Sequence, residues 1–280
     1  MENILVPIDF SKQSKEAFKT AVKLAGKTNA GVTMLHVLYL PTLYDSGFAG
    51  EPLAYNVLYL DQMEKDARVE LEKMKGEDGA GIRINIEIVY GDVVTSIKSN
   101  IEKYHSNLVV MGSSGMSGIP SLIVGSVTEK VVRHITVPVL AVRESFQMSD
   151  VKDILLPSSL DLDQTDFIRE VKKLQELFGA TLHLLLINTP SHFRRDGEAR
   201  EALGEFIRHY SLTNCKTHFR NYGSEEEGIL DFAYSENMNL IAMATHGRKG
   251  LAHLFNGSIA EDVVNKIVSP VWTYCLKSVG

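Results

Sequence analysis

Three glycines and a serine, Gly112, Gly115, Gly125 and Ser126, stand where an anion could be held. Gly112 follows the apolar run Leu108-Val109-Val110-Met111, which reads as a strand buried on both faces. Glycine just past a strand's carboxyl end lets backbone N–H groups approach a ligand with no Cβ in the way. Ser126-Val127-Thr128-Glu129 has the form of a capping box, with Ser126 accepting from the N–H of Glu129 and Glu129 reaching back to the N–H of Ser126. That marks a helix start, and the free N–H groups of a helix start attract phosphate. A β-branched run from Val137 to Val142 follows, so 108–142 reads as strand, glycine turn, helix, strand. Spacing alone allows either a phosphate cradle or a plain glycine turn followed by an ordinary cap.

The elements that must position these residues follow from hydrophobic periodicity. Asn3–Ile8 reads as a strand, and Ser11 as the cap of a helix running to about Lys27 with Ala17, Val22, Leu24 and Ala25 inward. Val32–Leu38 is a second strand. The stretch 41–52, with Tyr44 and Phe48, is a loop that spacing leaves open as a lid or a surface loop. A helix over about 56–75 carries Leu60, Met63, Ala67, Leu71 and Met74 on one stripe. Arg83–Tyr90 is a third strand, and Asp92 caps a helix to about His105 with Val94, Ile97, Ile101 and Tyr104 inward. Strands alternating with helices predict a doubly wound α/β fold with a parallel sheet. Such sheets bind ligands at the carboxyl ends of their strands, where Asp9, Val37 and the Gly112 turn all fall.

From Val151 the chain begins again. Lys152–Pro157 echoes the first strand, and Pro157 lies 150 residues after Pro7. A helix over Thr165–Phe178, a strand over Thr181–Ile187, a shorter helix over about 198–210 and a strand over Cys215–Asn221 follow. Tyr90-Gly91, Gly115, Gly125-Ser126 and Pro138-Val139 recur as Tyr222-Gly223, Gly247, Gly257-Ser258 and Pro270-Val271, each offset by 132. The chain is therefore a tandem repeat, domain 1 over 1–146 and domain 2 over 151–280, each predicted to hold a five-stranded parallel sheet. The capping box recurs too, as Ser258-Ile259-Ala260-Glu261.

Gly112-x2-Gly115-x9-Gly125-Ser126, with the strand before it and the Val-Pro-Val strand after it, resembles the G-x2-G-x9-G-[S/T] nucleotide motif of the universal stress protein family. The resemblance covers nearly the whole chain, since the pattern occurs twice. It implies an adenine-nucleotide-binding, Rossmann-like domain in which an acid after strand one, here Asp9, contacts the adenosine end. A backbone group near Val37 holds the adenine, and the glycine turn and Gly-Ser cap hold the phosphates. The contacts it implies are Pro7, Ile8, Asp9, Val37, Met111, Gly112, Gly115, Gly125, Ser126, Val127 and Thr128. Alone, Asp9 reads better as a helix-cap carboxylate; together with the glycine motif it reads as a ligand contact. The resemblance also implies that the fifth strands, Val137–Val142 and Val271–Tyr274, pair edge to edge, so that the repeats form an internal pseudo-dimer, with a homodimer of whole chains as a further expectation.

Two departures matter. Between Gly112 and Gly125 there is no Lys or Arg, and the nearest are Lys130 and Arg133. A polyphosphate normally wants such charge or a metal, which leaves weak ATP binding, ATP with Mg²⁺, or ADP or AMP as the ligand. The second repeat has Ser159 in place of Asp9 and Ala244 in place of Gly112, yet carries Arg248, Lys249 and His253 in its loop. It is expected to hold a degenerate site.

Composition bounds the rest. At 280 residues, 44% hydrophobic, the chain suits two globular domains. Net charge −6 and no basic run argue against nucleic acid and anionic membrane as partners. The start, MENILVPID, does not read as a signal peptide, and no run reaches membrane-span length. Two cysteines, Cys215 and Cys275, imply no disulfide framework and fit the cytoplasm. His36 in its strand is expected to pack or make one hydrogen bond; His183 and His218 are given no role, and His246 reads as a turn histidine. The leading expectation is a regulatory or stress-protective nucleotide-binding module, not a dedicated catalyst. The alternatives are a slow ATP-hydrolysing enzyme, disfavoured because no Walker A, His-x-Gly-His or Ser-Gly-Gly loop is present, and a nucleotide-free interaction scaffold.

Overall fold

The computed structural model describes residues 1–38, 53–113, 126–144, 146–246 and 259–276. These residues divide into two compact units, Met1–Gly112 and Ser113–Gly280. The loop expected over 41–52 lies outside the described residues.

In the first unit the elements run β1 (Asn3–Pro7), α1 (Lys12–Thr28), β2 (Gly31–Leu38), α2 (Leu53–Asp78), β3 (Ile84–Tyr90), α3 (Val93–Lys103) and β4 (Leu108–Gly112). The sheet order is β3-β2-β1-β4, all parallel. Ile4, Leu5 and Val6 of β1 and Leu108 to Met111 of β4 are buried, as a strand covered on both faces requires. Ser11 caps α1 by accepting from the N–H of Ser14, and Asp92 caps α3 by accepting from the N–H of Thr95. The buried face of α1 is Ala17, Phe18, Ala21, Leu24 and Ala25. Val22, expected inward, is only half-buried, because it lies at the edge of that stripe. Ala67, Leu71 and Met74 of α2 are buried, with Leu60 and Met63 half-buried toward its start. Helix α3 stops at Lys103, short of the expected His105, whose φ of 49° is left-handed.

The second unit contains α4 (Ser126–His134), β5 (Val139–Val142), β6 (Asp153–Pro157), α5 (Thr165–Phe178), β7 (Thr181–Asn188), α6 (Asp196–Tyr210), β8 (Cys215–Asn221), α7 (Glu225–Ser235), β9 (Leu240–His246), α8 (Ile259–Lys266) and β10 (Val271–Leu276). Its sheet order is β5-β10-β9-β6-β7-β8. The five strands of the second repeat are parallel, as expected. Strand β5 belongs to the first repeat by sequence yet pairs antiparallel with β10, with Val139 opposite Thr273 and Ala141 opposite Val271. The final strands of the two repeats therefore meet, as the resemblance implied. The compact units consequently do not part at the repeat boundary: α4 and β5 fold with the second repeat.

The junction carries side-chain bonds as well. Arg133 of α4 reaches Glu261 of α8 through two guanidinium N–H groups, Nε to Oε1 at 2.9 Å. The Glu261 side chain is 2% exposed and that of Arg133 40%. Thr245 Oγ1 donates to the Val132 carbonyl at 3.3 Å, so a residue of the second repeat satisfies a late carbonyl of the first repeat's helix. Phe167 of α5 packs against Trp272 and Tyr274 of β10, each at 6.2 Å between ring centroids. Replacing Arg133 by Ala removes the forked partner of a buried carboxylate, and urea unfolding of this variant is expected to show a loss on the order of 1–3 kcal/mol. Arg133→Lys, which keeps the charge and loses the fork, is expected to lose less.

Candidate nucleotide site

The turn from β1 into α1 is built by four residues. The N–H of Ile8 donates to the Leu35 carbonyl at 2.8 Å, continuing the β1–β2 ladder one residue past β1. Asp9 is exposed. Its Oδ1 accepts from the Ser11 N–H at 3.0 Å and from Ser11 Oγ at 2.6 Å. Between them Phe10 takes a left-handed φ of 64°, which a phenylalanine adopts only when held there. The holding group is His36 of β2. Its Nδ1 donates to the Ile8 carbonyl at 2.7 Å, and its ring lies 4.6 Å from that of Phe10. His36 makes the single hydrogen bond expected of it. Phe10 was not signalled by the sequence; a left-handed phenylalanine has no local signature.

Burial pushes the Asp9 carboxyl up. The hydroxyls of Ser11 and Ser14 and the Ser11 N–H outweigh that effect and hold it below its ordinary 3.8. Asp9 is therefore ionised through the neutral range. Its role as a turn carboxylate is observed, and it remains open to solvent as an acceptor.

Pro7, Ile8, Asp9, Val37, Met111 and Gly112 stand at the carboxyl ends of β1, β2 and β4, adjacent strands of one sheet. Pro7 and Val37 are half-buried, Ile8 and Met111 buried. In the second unit Ser126 takes the first position of α4, Val127 is exposed and Thr128 is buried. Gly115, Gly125 and the Ser126 and Glu129 side chains of the expected capping box lie outside the described residues, as do Arg248, Lys249, His253 and the His246 side chain.

Gly112 has a second reason to be glycine. A Cβ there would lie 2.5 Å from the carbonyl carbon of Gln13 and 2.7 Å from its Cβ. The first turn of α1 crosses the end of β4 that closely because only residues 8–11 separate β1 from α1. In the second repeat, residues 158–164 separate β6 from α5, and Ala244 stands in the matching place. The alanine thus goes with a longer turn, and the glycine of the first repeat answers to helix packing whether or not a ligand approaches.

The missing acid of the second repeat is displaced, not deleted. Ser159 Oγ donates to Asp161 Oδ2 at 2.7 Å, the Asp9–Ser11 bond with acid and hydroxyl exchanged. Leu160, the counterpart of Phe10, is likewise left-handed at φ 69°. Arg194 reaches the Ser159 carbonyl at 3.3 Å. Ile187, the counterpart of Val37, is 7% exposed where Val37 is half-buried. Of the nearest cations to the first glycine turn, Arg133 is engaged by Glu261 and Lys130 is exposed. Among the described residues no group of three or more His, Cys, Asp and Glu is arranged to hold a metal ion, and no helix is long and apolar enough to cross a membrane.

The family model for the universal stress protein family matches residues 1–143 and again 151–274. The chain belongs to the universal stress protein family. A universal stress protein of Methanocaldococcus jannaschii is 30% identical over 145 residues, 51% of this chain and 82% of its own length. Universal stress protein YxiE of Bacillus subtilis is 32% identical over 147 residues, 50% of this chain and 97% of its own. Each of these relatives matches about half of this chain, as a tandem protein requires. A universal stress protein structure from Archaeoglobus fulgidus shares the fold across 98% of both chains, with a TM-score of 0.75 and 22% identity. Two tandem α/β domains of this family make up the chain.

Two outcomes follow from this geometry. Gly112→Ala is expected to destabilise the protein by about 1–3 kcal/mol through overpacking against Gln13, whereas Ala244→Gly costs only about 0.5–1 kcal/mol of backbone entropy, both read by chemical denaturation. The Asp9 carboxyl resonance, followed by NMR, is expected to titrate below 3.8 and to move upward toward that value in Ser11→Ala.

Proposed function

We propose that the first repeat binds one adenine nucleotide at the carboxyl ends of its strands and acts as a cytoplasmic regulatory or stress-protective module, not as a dedicated catalyst. The observation that carries this reading is Asp9: an exposed, ionised carboxylate fixed by Ser11 and the Phe10–His36 turn, in a chain that carries the family's glycine motif. A fixed carboxylate suits the hydroxyls of a ribose, which donate hydrogen bonds that only an acceptor can take. The half-buried Val37 at the end of β2 suits the edge of a base.

The residues fit the sugar end better than a polyphosphate. No basic side chain lies between Gly112 and Gly125, and Arg133 is committed to Glu261. Backbone N–H groups and Mg²⁺ brought with the nucleotide would supply the phosphate charge, or the ligand is ADP or AMP. The same lack of basic side chains, together with the packing role of Gly112, favours a nucleotide-free scaffold as the second reading.

Calorimetric titration of the full chain with ATP, ADP and AMP in the presence of Mg²⁺ tests this. One nucleotide per chain is expected, weakened roughly 10–100-fold in Asp9→Ala, the loss of a hydrogen bond to a charged group. Two per chain would mean that the second repeat is a working site. No binding at millimolar nucleotide would remove the nucleotide reading and leave the scaffold.

A further inference from the structure

The repeats differ at one place where the first is neutral and the second titratable. In the first unit the buried Asn3 Nδ2 donates to Thr33 Oγ1 at 3.0 Å and Ser106 Oγ at 2.8 Å. The repeat offset of 150 puts Asp153 at the place of Asn3 and His183 at that of Thr33, and the offset of 132 puts His218 at that of Ile86. In the second unit these three form one hydrogen-bonded line across β6, β7 and β8. His183 Nε2 lies 2.8 Å from Asp153 Oδ1, and His183 Nδ1 lies 3.0 Å from His218 Nε2. The two imidazole planes differ by 1°, and Phe232 of α7 packs against His218 at 4.7 Å between centroids. His183 is 6% exposed.

A carboxylate only accepts, so His183 Nε2 carries a proton and Nδ1 is bare. That bare nitrogen accepts from Nε2–H of His218, which leaves Nδ1 of His218 as the remaining basic atom. One added proton goes there and breaks no bond. Among the imidazole nitrogens a second proton has only His183 Nδ1 to go to, where two N–H groups would then face each other. The imidazole pair therefore takes up one added proton closed and a second only by opening. Among the described residues strand β8 ends the sheet and is laddered to β7 alone, so its release breaks a single ladder.

We propose that Asp153, His183 and His218 form a proton-operated latch that releases the edge strand β8 from β7 in acid. The charged groups facing His218 are His183 of β7, Arg220 and Lys216 of β8 and Glu236 at the end of α7; Asp153 of β6 faces His183. Burial lowers the proton affinity of His218 below its ordinary 6.5, His183, Arg220 and Lys216 add to this, and Glu236 opposes it. The opened strand regains the ordinary value. The stability of the closed latch is thus complete above about pH 6.5 and is lost as pH falls toward the folded value.

Hydrogen exchange read by mass spectrometry on the full chain tests this between about pH 7.5 and 5.0, corrected for intrinsic exchange. Protection of the 215–221 amides is expected to fall about tenfold or more, while that of the 84–90 amides of β3 in the first unit changes less than about twofold. His218→Ile, which installs the first repeat's residue, is expected to flatten the pH response of β8. An equal fall in β3 and β8, or an undiminished fall in His218→Ile, would overturn the latch. Nitrogen NMR of the wild-type imidazoles decides the matter without a variant: linked, two-step titration of His183 and His218 supports it, and independent titration with unmoved β8 amides overturns it.

Discussion

A strand buried on all sides must find partners for its backbone N–H and C=O groups, and that requirement governs the carboxyl half of each repeat. All four residues of β5 are buried. The strand takes β10, the last strand of the other repeat, and lies antiparallel to it. An antiparallel pairing of two like strands is what a local two-fold produces, and here one chain supplies both. Around that pairing the Arg133–Glu261 bridge, the Thr245 hydroxyl on the Val132 carbonyl and the Phe167–Trp272–Tyr274 cluster fall into place. The consequence is that α4 and β5 fold with the sequence that follows them, although the family pattern counts them with the sequence before.

The two repeats also show how one turn can be built twice with exchanged parts. Asp9 and Ser11 share a hydrogen bond in the first, and Ser159 and Asp161 share it in the second, around a left-handed Phe10 or Leu160. The first repeat uses the shorter turn, which carries α1 over the end of β4 and excludes a side chain at Gly112. A glycine in a phosphate motif thus has a packing duty that persists without phosphate. Ala244 stands in the repeat with the longer turn.

Much of the fold was legible because its signals are local. Ser11 and Asp92 announced their helices by side-chain chemistry within three residues, and the Ala67–Leu71–Met74 stripe by its period. The repeat was legible because offsets of 150 and 132 hold over many positions. Of the candidate site, Asp9 and Val37 could be placed at strand ends from the sequence. The reason for Gly112 could not, since Gln13 is 99 residues away and nothing in either stretch points to the other. Phe10–His36 and Asp153–His183–His218 were hidden for the same reason: each needs the register of strands distant in sequence, which periodicity does not supply. His183 and His218, to which the sequence assigned nothing, carry the most distinctive chemistry of the second repeat.

The proposed divergence of the repeats sets the exposed Asp9 and half-buried Val37 of the first against Ser159 and the buried Ile187 of the second. Photolabelling the full chain with an azido-adenine nucleotide, followed by peptide mapping, tests it most directly. Label is expected on first-repeat peptides that include Val37, competed away by unlabelled nucleotide, and none on the peptide that contains Ile187. Competed label on the Ile187 peptide, or no competed label anywhere, would contradict it.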